Sequence, residues 1–211
     1  MKIALINGSP KVKDSASEFI LRALKPLLPD EHETTGYHLK SSVVNDHDLE
    51  RMAECNALVF AFPLYVDGIP SHLVSCLYQM ETFLSKQSTN KIAVYALVNS
   101  GFYEGRQNAI ALELLKNWCE KAKLHWGQGI GIGGGGMLPL LSGVPDGQGP
   151  KRNLSEALKA IASCILTGAT ADNLYISPNF PRFAFKIAAE IGWRQQGKAN
   201  GLTRKDLFTQ K

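Results

Sequence analysis

The sequence predicts an α/β protein, a three-layer sandwich in which helices cover both faces of a five-stranded parallel sheet. Short apolar runs alternate with amphipathic helical patterns along residues 1–136, which is typical of repeated βαβ units. The runs at residues 57–62 and 92–98 are apolar throughout, as expected for central strands buried on both faces. We expect the strand order 2-1-3-4-5, with a ligand at the carboxyl ends of the strands.

The individual elements follow from periodicity and capping signals. Predicted strands cover residues 2–7, 33–40, 57–62, 92–98 and 125–132. Predicted helices cover about 17–28, 48–54, 70–84, a long segment around 110–118, 153–167 and 182–196. Ser15 and Glu18 have the spacing of a capping box, and Asn153 and Glu156 suggest a second cap. Gly168 is expected to end the fifth of these helices.

The βα alternation stops after residue 132, where a run of four glycines at 133–136 and then three prolines follow by residue 150. We therefore expect one domain over residues 1–211, with a core at 1–136 and a helical extension at 137–211. Repeats and linkers that would mark a second domain are lacking in the sequence.

Charge is spread unevenly along the 211 residues. Residues 151–211 carry ten Lys and Arg against four Asp and Glu, while residues 1–150 carry thirteen against fifteen. Aromatic–basic RNA motifs, zinc spacings and helix-turn-helix patterns are missing from the sequence, so we expect no nucleic-acid partner. The basic end is a solvated tail or a region that attracts a phosphate-bearing nucleotide.

Cysteine spacing and the longest uncharged stretch narrow the class of protein further. The four cysteines stand far apart in sequence, which excludes a C-x-x-C redox pair and a clustered iron–sulfur motif. The five histidines are scattered, so no metal site is expected. Residues 124–145 lack charged residues but contain eight glycines and two prolines, which excludes a spanning helix. We expect a cytoplasmic protein with no membrane partner.

Three loops leave the carboxyl ends of neighbouring strands, and the first, residues 8–17, suits a phosphate. A buried strand runs into a glycine turn and then into a hydroxyl-rich helix start, where backbone N–H groups and the helix dipole favour an anion. The predicted phosphate-binding residues are Ser9, Lys11, Ser15 and Ser17.

The second loop, residues 63–70, suits a flat amphipathic ring. Pro63, Leu64 and Tyr65 offer an apolar wall, and a nearby glycine permits a close approach of the backbone. Backbone N–H donors along the polar edge of the ring are expected from Val66, Asp67 and Gly68.

The third loop, residues 99–105, suits the pyrimidine end of the same ring. Asn99, Ser100 and Gly101 provide donors and close approach, and Phe102 or Tyr103 lines the ring. Together the three loops match the phosphate, the ring and the pyrimidine edge of flavin mononucleotide (FMN). Each loop taken alone is also compatible with an ordinary turn.

The pattern Gly131-x-Gly133-x-x-Gly136 matches a dinucleotide-binding fingerprint but lies after the last predicted strand. Pro139 follows where a helix should begin, so we do not assign the pattern to a nucleotide. We expect these glycines to permit close packing beside the flavin or at a dimer interface.

The sequence resembles the flavodoxin-like NAD(P)H-dependent FMN reductase family. The resemblance rests on Gly8-Ser9-Pro10, on Pro63-x-Tyr65-x-x-x-x-Pro70 and on Asn99-Ser100-Gly101, and it covers about residues 1–135. It implies bound FMN, hydride uptake from NADPH or NADH, and a homodimer. The chain departs from members that carry clustered cysteines, so no iron–sulfur cluster is implied.

Two functions follow as expectations. The first is an FMN-dependent NAD(P)H oxidoreductase that passes hydride from a reduced nicotinamide to flavin N5 and then to a flavin, quinone, nitro or azo compound. Because hydride transfer needs no general acid or base, no catalytic side chain is certain, and Tyr65 and Tyr103 are the candidates. The alternative is a non-enzymatic FMN-binding electron carrier or redox-sensing module. A scaffold that binds no flavin is a third possibility.

Overall fold

The computed structural model describes residues 1–87, 92–203 and 206. The chain divides into two compact units, residues 1–178 and 179–211, and each is described by itself. The predicted single domain over 1–211 stays a prediction. The end of the predicted extension, residues 204, 205 and 207–211, lies outside the described residues.

The first unit alternates strands and helices along most of its length. Its strands are β1 (Lys2–Asn7), β2 (Glu33–His38), β3 (Ala57–Pro63), β4 (Ala93–Asn99), β5 (His125–Ile132) and β6 (Leu174–Ile176). Its α-helices are α1 (Ala16–Leu24), α2 (Asp46–Ala53), α3 (Ser71–Leu84), α4 (Ala109–Lys121) and α5 (Arg152–Thr167). Short 3-10 segments occupy Lys25–Leu27, Gly105–Asn108, Gly135–Leu141 and Gly149–Lys151. The second unit contains α6 (Arg182–Ala199).

The sheet is parallel and has the strand order β2-β1-β3-β4-β5-β6. The predicted order of the first five strands is confirmed, but the prediction of five strands is wrong. β6 pairs with β5 in parallel, with Ile130 opposite Leu174 and Ile132 opposite Ile176. A three-residue strand is too short to show a periodicity, so the sequence pattern missed it. The predicted extension therefore continues the βαβ alternation through β5, α5 and β6.

Helices cover both faces of this sheet, as predicted. On one face Ile20 and Leu24 of α1 and Ile161 and Ile165 of α5 pack in a core with Ile3. On the other face α2, α3 and α4 contribute Met52, Met80, Leu77, Leu112 and Trp118. The Tyr95 hydroxyl of β4 donates to the carbonyl oxygens of Cys164 (2.8 Å) and Ala169 (3.1 Å), which ties the end of α5 to the sheet.

Capping residues set several helix ends. Ser15 Oγ accepts a hydrogen bond from the Glu18 N–H at 3.0 Å, which confirms the predicted cap of α1. α1 ends at Leu24 and not at Leu28, because Pro26 lacks an N–H and converts the last turn into a 3-10 segment. The predicted Asn153 cap is wrong.

Asn153 lies inside α5, and its Nδ2 donates to the Ser177 carbonyl oxygen at 2.9 Å. Gly168 ends α5 with φ +67°, as predicted. In the part of the chain that the structure describes, each helix is too short or too polar to cross a membrane.

Candidate functional site

A cleft of about 230 Å³ lies where β1, β3 and β4 end, and the three loops meet in it. Ten of the predicted site residues line this cleft: Ser9, Lys11, Ser15, Ser17, Pro63, Leu64, Tyr65, Asn99, Ser100 and Gly101. Five residues outside the predicted set also line it: Asp14, Ala16, Gly135, Gly136 and Pro139. Val66, Asp67, Gly68 and Tyr103 were predicted and are not among the lining residues.

The first loop is held by short-range hydrogen bonds. The Gly8 N–H donates to the Ala61 carbonyl oxygen at 2.9 Å, and the Ser9 N–H donates to Asn7 Oδ1 at 3.0 Å. A Cβ on Gly8 would lie 2.6 Å from Leu73 of α3, so the turn needs a glycine here. Lys11 is exposed and donates its ammonium to the Asp14 carbonyl oxygen at 3.3 Å, which folds its side chain along the loop.

Three buried serine hydroxyls line this end of the cleft, and each acts as an acceptor within the protein. Ser9 Oγ accepts from the Lys11 N–H, Ser15 Oγ from the Glu18 N–H, and Ser17 Oγ from the Asn99 side chain. None of the three donates a hydrogen bond to another described residue. Since a serine hydroxyl has one hydrogen and two lone pairs, each retains its hydrogen for an outside acceptor. Together with the N-terminus of α1, this arrangement suits an anion.

Asn99 connects all three loops. Its Nδ2 donates to Ser17 Oγ and to the Phe62 carbonyl oxygen, both at 3.0 Å. The backbone carbonyl oxygen of Asn99 accepts from the Leu64 N–H at 2.7 Å. The side chain is 4% exposed. Asn99 was predicted to donate to the ligand, but both of its side-chain N–H groups are bonded within the protein.

The second loop folds into a tight turn. Tyr65 and Gly68 exchange two backbone hydrogen bonds of 3.1 and 3.0 Å, and Val66 and Asp67 between them adopt φ values of +48° and +57°. The Gly68 N–H is thus engaged by Tyr65. A Cβ on Gly68 would meet no atom closer than 3.9 Å, so packing within the chain does not require the glycine.

The third loop is anchored from beneath by a residue that sequence reasoning missed. Asn108 is fully buried, and its Nδ2 lies 2.9 Å from the Gly105 carbonyl oxygen, 3.3 Å from that of Ile132 and 3.4 Å from Ser100 Oγ. The Tyr103 hydroxyl donates to the Pro178 carbonyl oxygen at 3.4 Å. Tyr103 therefore supports the loop and does not face the cleft.

Alternating glycines at the end of β5 and just after it let the third loop lie directly against this part of the chain. A Cβ on Gly131 would lie 2.5 Å from the Gly105 carbonyl oxygen and 2.8 Å from the Tyr175 ring. A Cβ on Gly133 would collide with the Tyr103 carbonyl group, and one on Gly135 would lie 2.9 Å from Asn99 Oδ1. The glycine run thus permits close packing beside the cleft, where we expected the flavin.

The sequence did not predict that Asp14 and residues 135–139 line the cleft, for different reasons. Asp14 lies in a polar loop, and its φ of +52° is visible only in the structure. Gly135, Gly136 and Pro139 reach the cleft because Gly135 donates its N–H to the Ser100 carbonyl oxygen at 2.7 Å. The glycine run itself was the available signal. Among the described residues, no group of three His, Cys, Asp or Glu is placed to hold a metal ion.

Comparisons with known proteins support the fold. Family models give no match, and the curated proteins give none. Solved structures do match: an NADH:FMN oxidoreductase in its apo form at 14% identity, with a TM-score of 0.59 over 81% of this chain and 90% of that one. An NADPH-quinone reductase from P. pentosaceus matches at 14% identity, with a TM-score of 0.58 over 77% and 98% of the two chains.

A flavodoxin from Streptococcus pneumoniae matches at 12% identity, with a TM-score of 0.55 over 80% of this chain and all of that one. At these identities the comparisons show the fold, which is flavodoxin-like. The fold that the resemblance implied is thus confirmed, and the sixth strand is added to it.

Proposed function

We propose that this chain is an FMN-dependent NAD(P)H oxidoreductase with the flavin in the cleft at residues 8–17, 63–65 and 99–101. The three buried serine hydroxyls of the first loop and the start of α1 carry the proposal. Ser9, Ser15 and Ser17 each hold a hydroxyl hydrogen for an outside acceptor, and the oxygens of a phosphate accept hydrogen bonds without donating any. Two of the structural neighbours, an NADH:FMN oxidoreductase and an NADPH-quinone reductase, support the same chemistry.

The ring of FMN fits the opposite side of the cleft. Pro63 and Leu64 supply apolar surface, and the Tyr65 side chain is 48% exposed at the rim, where it can cover a flat ring. Ser100 and Gly101 also line the cleft. The Ser100 N–H and carbonyl oxygen are bonded to Ile132 and Gly135, so Gly101 is the backbone contact for the ring on this loop. When bound, FMN supplies a ring atom that accepts hydride. Pro63, Leu64 and Tyr65 would hold and orient the ring, which would accept hydride from the nicotinamide.

Tyr65 is the better of the two tyrosine candidates for contact with substrate. It lines the cleft and is half exposed, whereas the Tyr103 hydroxyl is bonded to the Pro178 carbonyl oxygen outside the cleft lining. Tyr65→Phe should retain turnover, since hydride transfer needs no proton from this side chain. Tyr65→Ala should raise the KM for the nicotinamide by removing the aromatic wall.

The test begins with the absorption spectrum of the purified protein after incubation with FMN and removal of unbound flavin. Rapid anaerobic mixing with NADPH and separately with NADH should bleach the flavin band on the timescale of turnover. Quinones, nitro and azo compounds and free flavin are then compared as acceptors. A protein that retains no flavin band after unbound FMN has been removed contradicts the proposed site.

The alternative is a non-enzymatic electron carrier or redox-sensing module, and the flavodoxin among the structural neighbours favours it. Both functions use the same FMN cleft. A flavin band that forms but does not bleach with either nucleotide selects the alternative.

A homodimer and a cytoplasmic location complete the proposal. Helices α3 and α4, which cover the same face of the sheet, expose large apolar side chains at (i, i+4) spacing. These are Val74 and Tyr78 on α3, and Ile110 and Leu114 on α4. A second copy would remove this surface from water. Light scattering should give twice the chain mass, and Tyr78→Glu together with Leu114→Glu should give the single mass.

A further inference from the structure

Helix α6 exposes large apolar side chains to an unusual extent. Phe183, Ile187, Ile191 and Trp193 are 71, 55, 50 and 74% exposed. Most of the eighteen residues of the helix are exposed, and among its residues only Gly197 is buried. Such a concentration of apolar surface on one helix marks a surface for an interaction.

The excess positive charge of the chain lies in the same unit. Residues 179–211 carry seven Lys and Arg against two Asp and Glu, a net charge of +5. Residues 1–178 carry sixteen against seventeen, a net charge of −1. The formal charge of +4 is thus a property of the last 33 residues.

The charged and the large exposed apolar residues share one half of α6. At 100° per residue, Phe183, Ile187, Ile191 and Trp193 fall within the same 180° arc as the cations. That arc also carries Arg182, Lys186, Arg194 and Lys198. Glu190, its one acidic residue, forms an ion pair with Arg194. The opposite half carries Ala184, Ala188, Ala189 and Gly192, with Phe185 and two glutamines.

We propose that α6 binds the surface of an anionic lipid bilayer with this mixed face. Aromatic and branched side chains enter the boundary between headgroups and acyl chains, while the side chains of Lys186 and Lys198 extend to the anionic headgroups. The cations are attracted to anionic headgroups, and the apolar side chains are removed from water in the boundary beneath them.

The helix lies on the bilayer and does not cross it. Five charged residues within eighteen exclude a spanning helix, in agreement with the described residues as a whole. The proposal replaces the sequence expectation of no membrane partner, which considered spanning segments. It rests on the second unit and stands independently of the flavin site.

The test is sedimentation of the full chain with vesicles of phosphatidylcholine, with and without phosphatidylglycerol. We expect binding to the vesicles that contain phosphatidylglycerol and at least tenfold weaker binding to phosphatidylcholine alone. High salt should release the protein, because the attraction to the headgroups is screened. The emission of Trp193 should shift to the blue on binding.

Variants separate the two components of the face. Lys186→Gln with Lys198→Gln should weaken binding about 25-fold, at about fivefold per cation. Lys116→Gln with Lys121→Gln removes the same charge from α4 and should leave binding unchanged. Ile187→Glu should abolish binding, and Trp193→Phe should retain it while losing the fluorescence shift.

Three outcomes overturn the proposal. The first is no sedimentation with anionic vesicles at low salt. The second is equal loss of binding in the α4 control. The third is an oligomer in solution that Ile187→Glu dissociates, together with no vesicle binding by the wild type or any variant. In that case a second copy of the chain covers the helix.

Discussion

Asn99 at the end of β4 donates a 3.0 Å hydrogen bond to Ser17 Oγ in the first turn of α1, across 82 positions of sequence. The second N–H of the same amide donates to the Phe62 carbonyl oxygen in β3 at 3.0 Å. One buried side chain thus joins the three segments that form the cleft. Its role is to position the site, since neither amide hydrogen remains for a ligand.

Replacing Asn99 with alanine should lower the free energy of unfolding by about 2–4 kcal/mol. Two hydrogen bonds are lost, and the Phe62 carbonyl oxygen is left buried without this donor. Asn99→Asp should be at least as damaging, because a carboxylate would face that carbonyl oxygen. Urea unfolding measures the effect. Stability equal to that of the wild type would show that the amide does not hold the loops.

Removing the Ser9 hydroxyl should weaken FMN binding by about 10- to 100-fold with little loss of stability. A hydrogen bond to a charged group contributes about 1.5–3 kcal/mol, and the present partner of Ser9 Oγ is the N–H of exposed Lys11 at 3.3 Å. Flavin fluorescence titration measures the affinity.

Ser75→Ala is the matched control for Ser9→Ala. The Ser75 hydroxyl donates to the Ser71 carbonyl oxygen on α3, away from the cleft lining, so FMN affinity should not change. Ser17→Ala is a poorer test of phosphate contact, because it also leaves an Asn99 N–H without its acceptor. Unchanged affinity in Ser9→Ala would move the phosphate away from this turn.

Asp14→Asn should tighten FMN binding about two- to fivefold. The Asp14 residue lines the cleft beside the three serines, where its carboxylate repels a phosphate. Asparagine keeps the shape and tolerates the φ of +52°. The same titration at low and high salt checks it: the gain should shrink as salt rises, and weaker binding in the variant would contradict the assignment.

Gly131→Ala should destabilise the protein by about 1–3 kcal/mol and also loosen the flavin. The new Cβ would lie 2.5 Å from the Gly105 carbonyl oxygen, so the third loop must move off the sheet. Gly143→Ala is the control, since its Cβ meets no atom within 4 Å and its φ is not positive. Thermal unfolding and flavin titration compare the two variants.

Stability should fall as the pH rises from about 9 to about 12. Burial raises the pKa of Cys55 from 9.0 to about 11 and that of Tyr95 from 10.0 to about 12. The folded protein keeps both protons at pH values at which the unfolded chain has lost them. The contribution of these two groups to the free energy of unfolding is therefore fully present below pH 9 and is lost between about pH 9 and pH 12.

Tyr95→Phe isolates the tyrosine contribution to this decline. It should cost about 1 kcal/mol at pH 8, because the hydroxyl no longer bonds the Cys164 and Ala169 carbonyl oxygens. Above pH 10 the stability of this variant should fall less steeply than that of the wild type. Tyr78→Phe, at an exposed tyrosine of α3, is the control and should behave as the wild type. Urea unfolding at pH 8 and pH 10.5 supplies the comparison.

The predicted site shows where local pattern suffices and where it does not. Ser9, Ser15 and Ser17 line the cleft, because a strand, a glycine turn and a helix cap follow one another within 16 residues, and their predicted contact with a phosphate stays a prediction. Gly68 and Tyr103 lie in the predicted loops but outside the cleft lining. Their hydrogen bonds to Tyr65 and Pro178 turn them away, and no sequence pattern encodes those bonds.

The sequence by itself determined the layered α/β architecture, the order of the first five strands and the three loops at their carboxyl ends. Periodicity and turn chemistry depend on residues close together in sequence, so a single sequence is enough to recognise them. The tertiary structure decided that β6 extends the sheet, that the 135–139 segment reaches the cleft and that Asn99 joins the loops. These features depend on contacts between residues far apart in sequence, where burial and geometry select the partner.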